Sequence, residues 1–480
     1  MERFMDVVLS GSGSDTIFAN AAGMGGAIGI IRVSGPDAVD IVDKIFVSKK
    51  QGKRLSGQKT YTVHYGSIVE RPASPSKEET RGKDQILDEV LVLLMRGPHS
   101  YTAEDVVEIQ CHGGQFVLVR IMDVLRRAGA RPAQPGEFTK RAFLNGRLDL
   151  SQAESVMDVI HAKNQFALKS SMDQLHGAVK EKIARLRERI LHESARIEAV
   201  LDDPEHYDLD DHGQQFLSTV NDLIGELTRL IENSNNGRVL SEGLRTVIVG
   251  KPNAGKSSLM NLLLGTDYAI VTDVAGTTRD LLESSFQLDG ITLHMIDTAG
   301  IRTTDDTVEK IGVERAKEAI RDADLILYVV DSSEEADADD GEILSLVQEK
   351  KVIVLLNKCD LAPAVSGEEL CERLSVPVIL CSAKYGEGLE ELTAEIRKLF
   401  LQGGLVYNDE VYITNLRQKD CLECALKSLK LVKQSVEALM PEDFYTIDLL
   451  DAYESLGLII GESVEDDLVD KIFHEFCMGK

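Results

Sequence analysis

Hydrophobic positions divide the chain into stretches with two different periods. Near the N-terminus, short apolar runs at 27–33, 90–95 and 106–111 predict β-strands, and the pattern at 116–128 predicts a helix. Between residues 151 and 201, apolar side chains recur every three or four positions without proline, which predicts long packed helices. We therefore expect a compact α+β domain followed by a helical domain.

A second change of period follows residues 233–238, whose sequence NSNNGR predicts a turn. Apolar runs then alternate with helical stretches, which predicts a doubly wound, mostly parallel sheet. The predicted strands comprise residues 246–249, 293–296, 325–330, 352–356 and 378–380. The helical period returns after Gly403 and Gly404, so we expect an α/β domain inserted into a helical one.

This pattern gives a multidomain α/β and α fold with four segments along the chain. They are an N-terminal α+β domain (1–145), a first helical part (146–238), the inserted α/β domain (239–403) and a second helical part (404–480). A length of 480 residues, at about 150 residues per domain, also suggests three domains. The polar, proline-containing segment 71–85 is predicted to be a mobile surface loop.

The amino-acid composition restricts the binding partners and the cellular compartment that can be expected for this protein. The net charge of −27, from 53 basic and 80 acidic residues, opposes generic binding to polyanions, so any RNA contact must be local. The basic side chains between residues 120 and 147 could form such a contact or a solvated helix face. Seven scattered cysteines, the lack of a signal-like start and the lack of a long apolar run predict a cytoplasmic protein without a membrane span.

Residues 250–257 (GKPNAGKS) follow a predicted strand and precede a helical run, which is the context of a phosphate-binding loop. Its glycines let backbone amides approach phosphate oxygens, Lys256 reaches the outer phosphates, and Ser257 offers a hydroxyl to magnesium. The residues of this loop expected to contact the nucleotide are Asn253, Ala254, Gly255, Lys256, Ser257 and Ser258.

Three further motifs follow later strands of the same predicted sheet. Residues 297–300 (DTAG) place a carboxylate near magnesium and a glycine amide near the terminal phosphate. In residues 357–360 (NKCD), Asp360 can accept both hydrogen bonds that guanine offers, and residues 382–384 (SAK) support the base. Together they predict guanine specificity through Asp297, Thr298, Ala299, Gly300, Asn357, Lys358, Asp360, Ser382, Ala383 and Lys384.

The segment 276–280 (GTTRD) lies between the first two motifs, and Thr278 is a natural second hydroxyl ligand for magnesium. Such a loop is ordered by the terminal phosphate and released after hydrolysis. Ile301 follows Gly300, where many GTPases have a glutamine that orients water. Another group must therefore activate the attacking water.

With three further stretches, these motifs resemble the MnmE (TrmE) family of tRNA-modifying GTPases. The stretches are residues 29–35 (GIIRVSG), 135–145 (PGEFTKRAFLN) and 476–480 (FCMGK), and the resemblance covers residues 15–480. It implies a homodimer with an N-terminal domain that binds formyl-tetrahydrofolate. It also implies a heterotetramer with an FAD-containing protein of the MnmG (GidA) family, which installs an aminomethyl or carboxymethylaminomethyl group on the wobble uridine of certain tRNAs.

The same resemblance assigns roles to individual positions. Arg32, Glu108, Arg147 and Lys480 correspond to folate-contacting positions, with Arg147 where some relatives have lysine. Asn253, the carbonyls of Thr272 and Val274, and Thr277 correspond to the ligands of a potassium ion that substitutes for an arginine finger. Glu309 corresponds to a catalytic acid that orients water alongside Lys256, and Cys477 lies close to the folate site as a candidate reactive thiol.

A rival interpretation from another class is a GTP-dependent switch that binds ribosomal RNA during ribosome assembly. Such a factor would need a basic RNA-binding module, whereas residues 441–480 carry eleven acidic and two basic side chains. The folate-type signature and Cys477 favour tRNA modification.

Overall fold

The computed structural model of the protein describes residues 15–23, 25–71, 84–162, 164–202, 209–265, 284–288, 291–296, 319–334, 350–362, 376–400, 412–441 and 443–462, and positions 464, 469, 472–474, 476 and 479. The chain forms two compact units. The first combines Met1–Met157 with Gly457–Lys480, and the second comprises Asp158–Leu456. The loop predicted at 71–85 lies largely outside the described residues.

A seven-stranded sheet forms the framework of the first unit, in the order β3-β4-β5-β6-β2-β1-β7. Its strands are β1 (Ile17–Asn20), β2 (Ile28–Ser34), β3 (Phe46–Ser48), β4 (Thr62–Glu70), β5 (Gln85–Met95), β6 (Val106–His112) and β7 (Arg131–Pro132). Neighbouring strands are antiparallel except β1 and β7. The register of β2 and β6 pairs Arg32 with Glu108.

Helices α1 (Ala38–Ile45) and α2 (Gln115–Ala128) cover this sheet with apolar side chains spaced three or four positions apart. Val42 and Leu125, both fully buried, share one core with Ile31 and Ile109 of the strands. Helix α3 (Glu137–Leu144) follows β7, and α4 (Leu150–His161) starts beyond it. The α+β domain predicted from the sequence is thus confirmed.

The second unit contains long helices, also as predicted. They are α5 (Gln165–Leu175), α6 (Ala178–Asp202), α7 (Leu209–Glu242) and α10 (Leu416–Glu437). Ile183, Leu186 and Ile190 are buried at helical spacing along α6. Helix α11 (Asp443–Ile460) follows α10. Among the helices of the described part of the chain, none is long and apolar enough to cross a membrane.

The turn predicted at residues 233–238 is wrong, because α7 continues through them to Glu242. The apolar period of this helix extends from Leu230 to Val239, both buried, and burial outweighs the local turn preference of asparagine and glycine. Gly237 also has a packing role, because a Cβ there would lie 3.2 Å from the carbonyl oxygen of Ile413. The proposed boundary at 238 therefore falls inside a helix.

A six-stranded sheet follows Gly243 in the order β13-β12-β11-β8-β10-β9. Its strands are β8 (Leu244–Val249), β9 (Ser284–Leu288), β10 (Ile291–Ile296), β11 (Leu325–Asp331), β12 (Val352–Asn357) and β13 (Val378–Leu380). All neighbouring pairs are parallel except β9 with β10, which confirms the doubly wound sheet. Helices α8 (Lys256–Gly265) and α9 (Leu389–Phe400) pack on it, with Leu259 and Leu392 in the core.

Candidate nucleotide site

The loop after β8 has a backbone that requires glycine at two positions. Gly250 has φ +148°, and a Cβ there would lie 2.3 Å from the carbonyl oxygen of Val329 on β11. Gly255 has φ +100°, and its Cβ would lie 2.0 Å from Nδ2 of Asn357. Between them Asn253 adopts φ 65°, a left-handed conformation that asparagine tolerates better than most residues. The loop thus has the tight curvature of a phosphate cradle.

Lys256 begins α8 directly after this cradle. Its ammonium group donates to the carbonyl oxygens of Gly250 and Lys251, at 2.7 and 2.6 Å, and burial lowers the pKa of Lys256. Ser257 and Ser258 are exposed in the first turn of the helix, where free backbone amides favour anions. The exposed hydroxyl of Ser257 fits the oxygen ligand that magnesium requires.

Asn357, the last residue of β12, links the phosphate loop to the loop that supports the base. Its Nδ2 donates to the carbonyl oxygen of Ala254 at 2.9 Å, and its Oδ1 accepts from the backbone N–H of Ala383 at 2.9 Å. The side chain is almost fully buried, so both hydrogen bonds are shielded from water. The motifs 250–257, 357–360 and 382–384, which were predicted separately from the sequence, are therefore connected through the side chain of Asn357.

Asp360 is exposed at the same edge of the sheet, where a base could reach it. Its Oδ1 accepts from the hydroxyl of Ser382 at 2.9 Å, which fixes the orientation of the carboxylate. The neighbouring Ala383 is buried and Lys384 is exposed, with its ammonium 4.9 Å from the ring centroid of Tyr385. The predicted recognition of the guanine edge by Asp360 stays a prediction.

The structure shows one ion pair beside the site, between Asp331 and Lys358, that was not predicted from the sequence. Asp331 ends β11 and pairs with the ammonium group of Lys358, whose backbone adopts φ 63°. Burial acts to raise the pKa of Asp331, but hydrogen bonds from Lys358 and Ser333 outweigh it and hold the pKa below its usual value. The only feature of the sequence that could have indicated this ion pair is a carboxylate at the end of a predicted buried strand.

Several predicted site residues lie outside the described part of the chain. They are the loop and switch positions Thr272, Val274, Thr277 and Thr278, the motif Asp297, Thr298, Ala299 and Gly300, the acid Glu309, and the C-terminal Cys477 and Lys480. Their roles stay predictions.

The first unit brings together the described residues predicted to contact folate. Arg32 pairs with Glu108, with Nε 2.8 Å from Oε1, and its guanidinium lies over the rings of Tyr101 and Phe138. Arg147 lies over the same Tyr101 ring, with its guanidinium carbon 5.2 Å from the ring centroid, and donates to the carbonyl oxygen of Tyr101 at 3.0 Å. Tyr101 was not predicted, because a single aromatic residue in a loop carries no sequence signal of its own.

The C-terminal end reaches the same cluster. Arg32 donates through Nη1 to the carbonyl oxygen of Gly479 at 3.2 Å. Gly479 has φ +93°, and a Cβ there would lie 2.4 Å from the carbonyl oxygen of Asn20. Glycine is therefore required for this close approach. The C-terminal motif and the strand motif 29–35, distant in sequence, meet here.

The basic segment at 120–147 is largely neutralised. Arg120 and Arg127 pair with Glu70, and Arg126 and Arg127 pair with Asp123. Two further arginines, Arg131 and Arg141, pair with Asp15 and Glu137. These ion pairs favour a structural role for the segment over contact with RNA.

Comparison with known proteins identifies relatives of both units. Residues 150–477 match the family described as the MnmE helical domain, and residues 16–147 match the GTP-binding protein TrmE N-terminus. The tRNA modification GTPase MnmE of Lachnoclostridium phytofermentans is 50% identical over 97% of this chain and 100% of its own length. The Bacillus subtilis protein of the same name is 43% identical over 97% of this chain and 100% of its own length.

Solved structures of GTP-binding proteins are similar to parts of the chain. Aquifex aeolicus Era bound to GDP and aluminium fluoride is 32% identical, with coverage of 39% of this chain and 67% of that chain and a TM-score of 0.28. The G domain of the T. maritima FeoB iron transporter is 31% identical, with coverage of 32% and 97% and a TM-score of 0.25.

Proposed function

Because the chain belongs to the MnmE family of tRNA modification GTPases, we propose that it acts with an FAD-containing protein of the MnmG (GidA) family on tRNA. The product is an aminomethyl or carboxymethylaminomethyl group on the wobble uridine of certain tRNAs, made with a one-carbon unit from formyl-tetrahydrofolate. Potassium activates its GTP hydrolysis, and the reaction takes place in the cytoplasm. The family match, which spans both units, favours this function over a role in ribosome assembly.

The observation that carries the GTPase part of this proposal is the position of Asn357. One buried amide holds the carbonyl of Ala254 in the phosphate loop and the N–H of Ala383 in the base loop. A ligand with phosphates at one end and a base at the other would therefore bind to a single rigid frame. Asp360, held by Ser382, can accept from N1–H and the exocyclic amine of guanine, which adenine does not offer in that arrangement.

The residues of the frame and the further predicted ligands each have a chemical task. Lys256 donates to the outer phosphate oxygens, and the first turn of α8 stabilises their negative charge. Magnesium at Ser257 and Thr278, and potassium at Asn253, Thr272, Val274 and Thr277, would supply positive charge where charge develops between the phosphates. Glu309 would orient the attacking water, since Ile301 has no polar group for that purpose.

The folate part of the proposal rests on the cluster around Tyr101. Arg32, Glu108 and Arg147 combine two guanidinium groups and a carboxylate beside an aromatic ring. Such a set fits a ligand that has both a flat, hydrogen-bonding heterocycle and carboxylates, as formyl-tetrahydrofolate does. Lys480 and Cys477 would complete the site, because Gly479 lies within hydrogen-bonding distance of Arg32. Bound folate would supply the one-carbon unit.

The proposed assembly is a homodimer that joins two copies of the partner in a heterotetramer and takes tRNA as substrate. The test is mass spectrometry of wobble nucleosides from a strain that lacks this chain. We expect the modified uridine to be absent there and to return when the unmodified gene is restored. An unchanged nucleoside profile in the deletion strain would contradict the proposal.

A further inference from the structure

A concentration of positive charge lies between α1 and β4 in the first unit. Residues 44–59 contain six lysines and arginines and no acidic residue, although the whole chain has a net charge of −27. Helix α1 ends at Ile45, β3 follows at Phe46–Ser48, and a loop with a left-handed Gly52 then leads to β4. The local field of this segment is thus opposite in sign to the average field of the protein.

The segment forms the wall of a cavity of about 1010 Å³. We call it the basic cavity, and define it by the six cations that line it: Lys44, Lys49, Lys50, Lys53, Arg54 and Arg71. Three carboxylates, Asp37, Asp40 and Asp43, also line it. The lining therefore carries three more positive than negative charges, so it favours an anionic occupant.

Most of the cations that line the basic cavity are not paired with a carboxylate of the described residues, so they can interact with an anionic ligand. Lys49 pairs with Glu89, and Arg71 lies 3.8 Å from Asp84. Within the described residues, the other four cations of the cavity have no carboxylate within 4.0 Å. This differs from the arginines of α2, which are paired with Glu70 and Asp123.

The carboxylate of Asp43 shapes the loop instead of neutralising a lysine. It accepts from the backbone N–H groups of Leu55 and Ser56, at 2.7 and 3.2 Å, and from the Ser56 hydroxyl at 2.9 Å. Leu55 is only 1% exposed, and Arg96 donates to the carbonyl oxygen of Ser56 at 2.9 Å. The loop is therefore held in one shape, and less ordering entropy is lost when a ligand binds.

We propose that the basic cavity binds the phosphate backbone of the tRNA substrate. The inference rests on the proposed function, because it takes tRNA as the substrate of the family chemistry. Five of the six cations are exposed and Lys53 is half-buried. Lysines act as point charges that neutralise phosphates without reading base edges. The cavity thus positions the RNA and does not select its sequence.

The test compares two variants that remove the same charge. K50Q/K53Q/R54Q removes three cations from the basic cavity. The matched control, K398Q/K419Q/K433Q, removes three surface lysines that lie beside glutamates one helical turn away on α9 and α10. GTP turnover of both full-length variants confirms that they fold. The dissociation constant for an unmodified tRNA transcript is then measured over a series of salt concentrations.

Each phosphate contact contributes about 0.7 to 0.9 to the slope of log affinity against log salt. We expect the cavity variant to lower the magnitude of that slope by about two, and the control to keep the slope of the unmodified chain. Equal slopes for all three proteins, or no salt-dependent binding by the unmodified chain, would overturn the inference. Displacement of tRNA by polyglutamate as readily as by unrelated RNA would also overturn it, in favour of an acidic protein partner.

Wobble-uridine modification in cells tests the proposed function separately from tRNA binding. A failure of the proposed function can therefore be distinguished from a failure of the basic cavity assignment. If the unmodified chain restores wobble modification in cells but the binding slopes are equal, only the basic cavity assignment is wrong. If it restores no modification at all, the proposed function itself fails, whatever the slopes.

Discussion

The side-chain amide of Asn357 donates to the backbone carbonyl oxygen of Ala254 across 2.9 Å, and this contact joins the end of β12 to the phosphate loop. Because the same side chain accepts from the N–H of Ala383, a displacement of either loop disturbs the other. Nucleotide affinity should therefore depend on residues that touch Asn357 as well as on those that touch the nucleotide.

Gly255→Ala tests this coupling. A Cβ at this position would lie 2.0 Å from Nδ2 of Asn357, on a backbone with φ +100°, so the loop and the amide must both move. We expect GTP affinity to fall by at least about tenfold, since backbone strain of this kind costs roughly 1 to 3 kcal/mol before the clash is counted. Gly265→Ala is the matched control, because a Cβ there meets nothing within 4 Å. Isothermal titration with a non-hydrolysable GTP analogue measures both variants, and equal affinities would contradict the coupling.

Asp360→Asn should exchange the preferred base. The amide reverses part of the donor and acceptor pattern of the carboxylate, so GTP should bind more weakly and xanthosine triphosphate more tightly. Ser382 can still donate to the remaining side-chain oxygen, which keeps the orientation. Competition binding with the two nucleotides checks the result. Undiminished GTP affinity in the variant would remove Asp360 from the site.

Asn253 should control the response to potassium. We expect GTP turnover to be much faster in potassium than in sodium, and both Asn253→Ala and Asn253→Gly to lose that difference. The glycine variant separates side chain from backbone, because glycine adopts the φ of 65° without strain. Steady-state phosphate release in matched salts is the measurement. Equal rates in the two salts for the unmodified chain would exclude potassium activation.

Asp331→Asn should lower the free energy of unfolding by an amount that depends on pH. The pKa of Asp331 is lowered in the folded chain, so its carboxylate stabilises the fold at pH values above the ordinary 3.8, and this contribution disappears as pH falls through the lowered folded pKa. We expect the variant to lose roughly 1 to 3 kcal/mol of unfolding free energy near pH 7, as for a hydrogen-bonded charge. Urea unfolding should show this difference shrinking below pH 3.8, and a difference independent of pH would refute the assignment.

The sequence predicted where the described nucleotide motifs lie in the sheet, because each motif is local. Each lies just after a strand with a continuous apolar run, and parallel strands bring their carboxyl ends to one edge. The sequence therefore predicted that Asn357 and Asp360 lie at this edge, and their contacts with a nucleotide stay predictions. Asp331 was missed because its partner, Lys358, is fixed only when β11 and β12 pair.

Two other features could be recognised only from the tertiary structure. The helix through residues 233–238 has a sequence that favours a turn, and only packing of its apolar face explains its continuity. Tyr101 contacts Arg32 and Arg147 through a loop whose position no periodic pattern predicts. The predicted domain bounds and the roles of the predicted site residues, among them residues 272–278, 297–300 and 309, stay predictions.

In the proposed function, GTP hydrolysis, and not GTP binding alone, drives tRNA modification. The most direct test is wobble-nucleoside mass spectrometry in a deletion strain that expresses Glu309→Ala, after GTP affinity and turnover of the purified variant are measured. Water-orienting groups contribute roughly a hundredfold to ten-thousandfold, so turnover should fall by that order while GTP affinity stays nearly unchanged. We predict that the modified uridine is then absent. Full modification by a variant that binds GTP but does not hydrolyse it would show that GTP binding alone suffices.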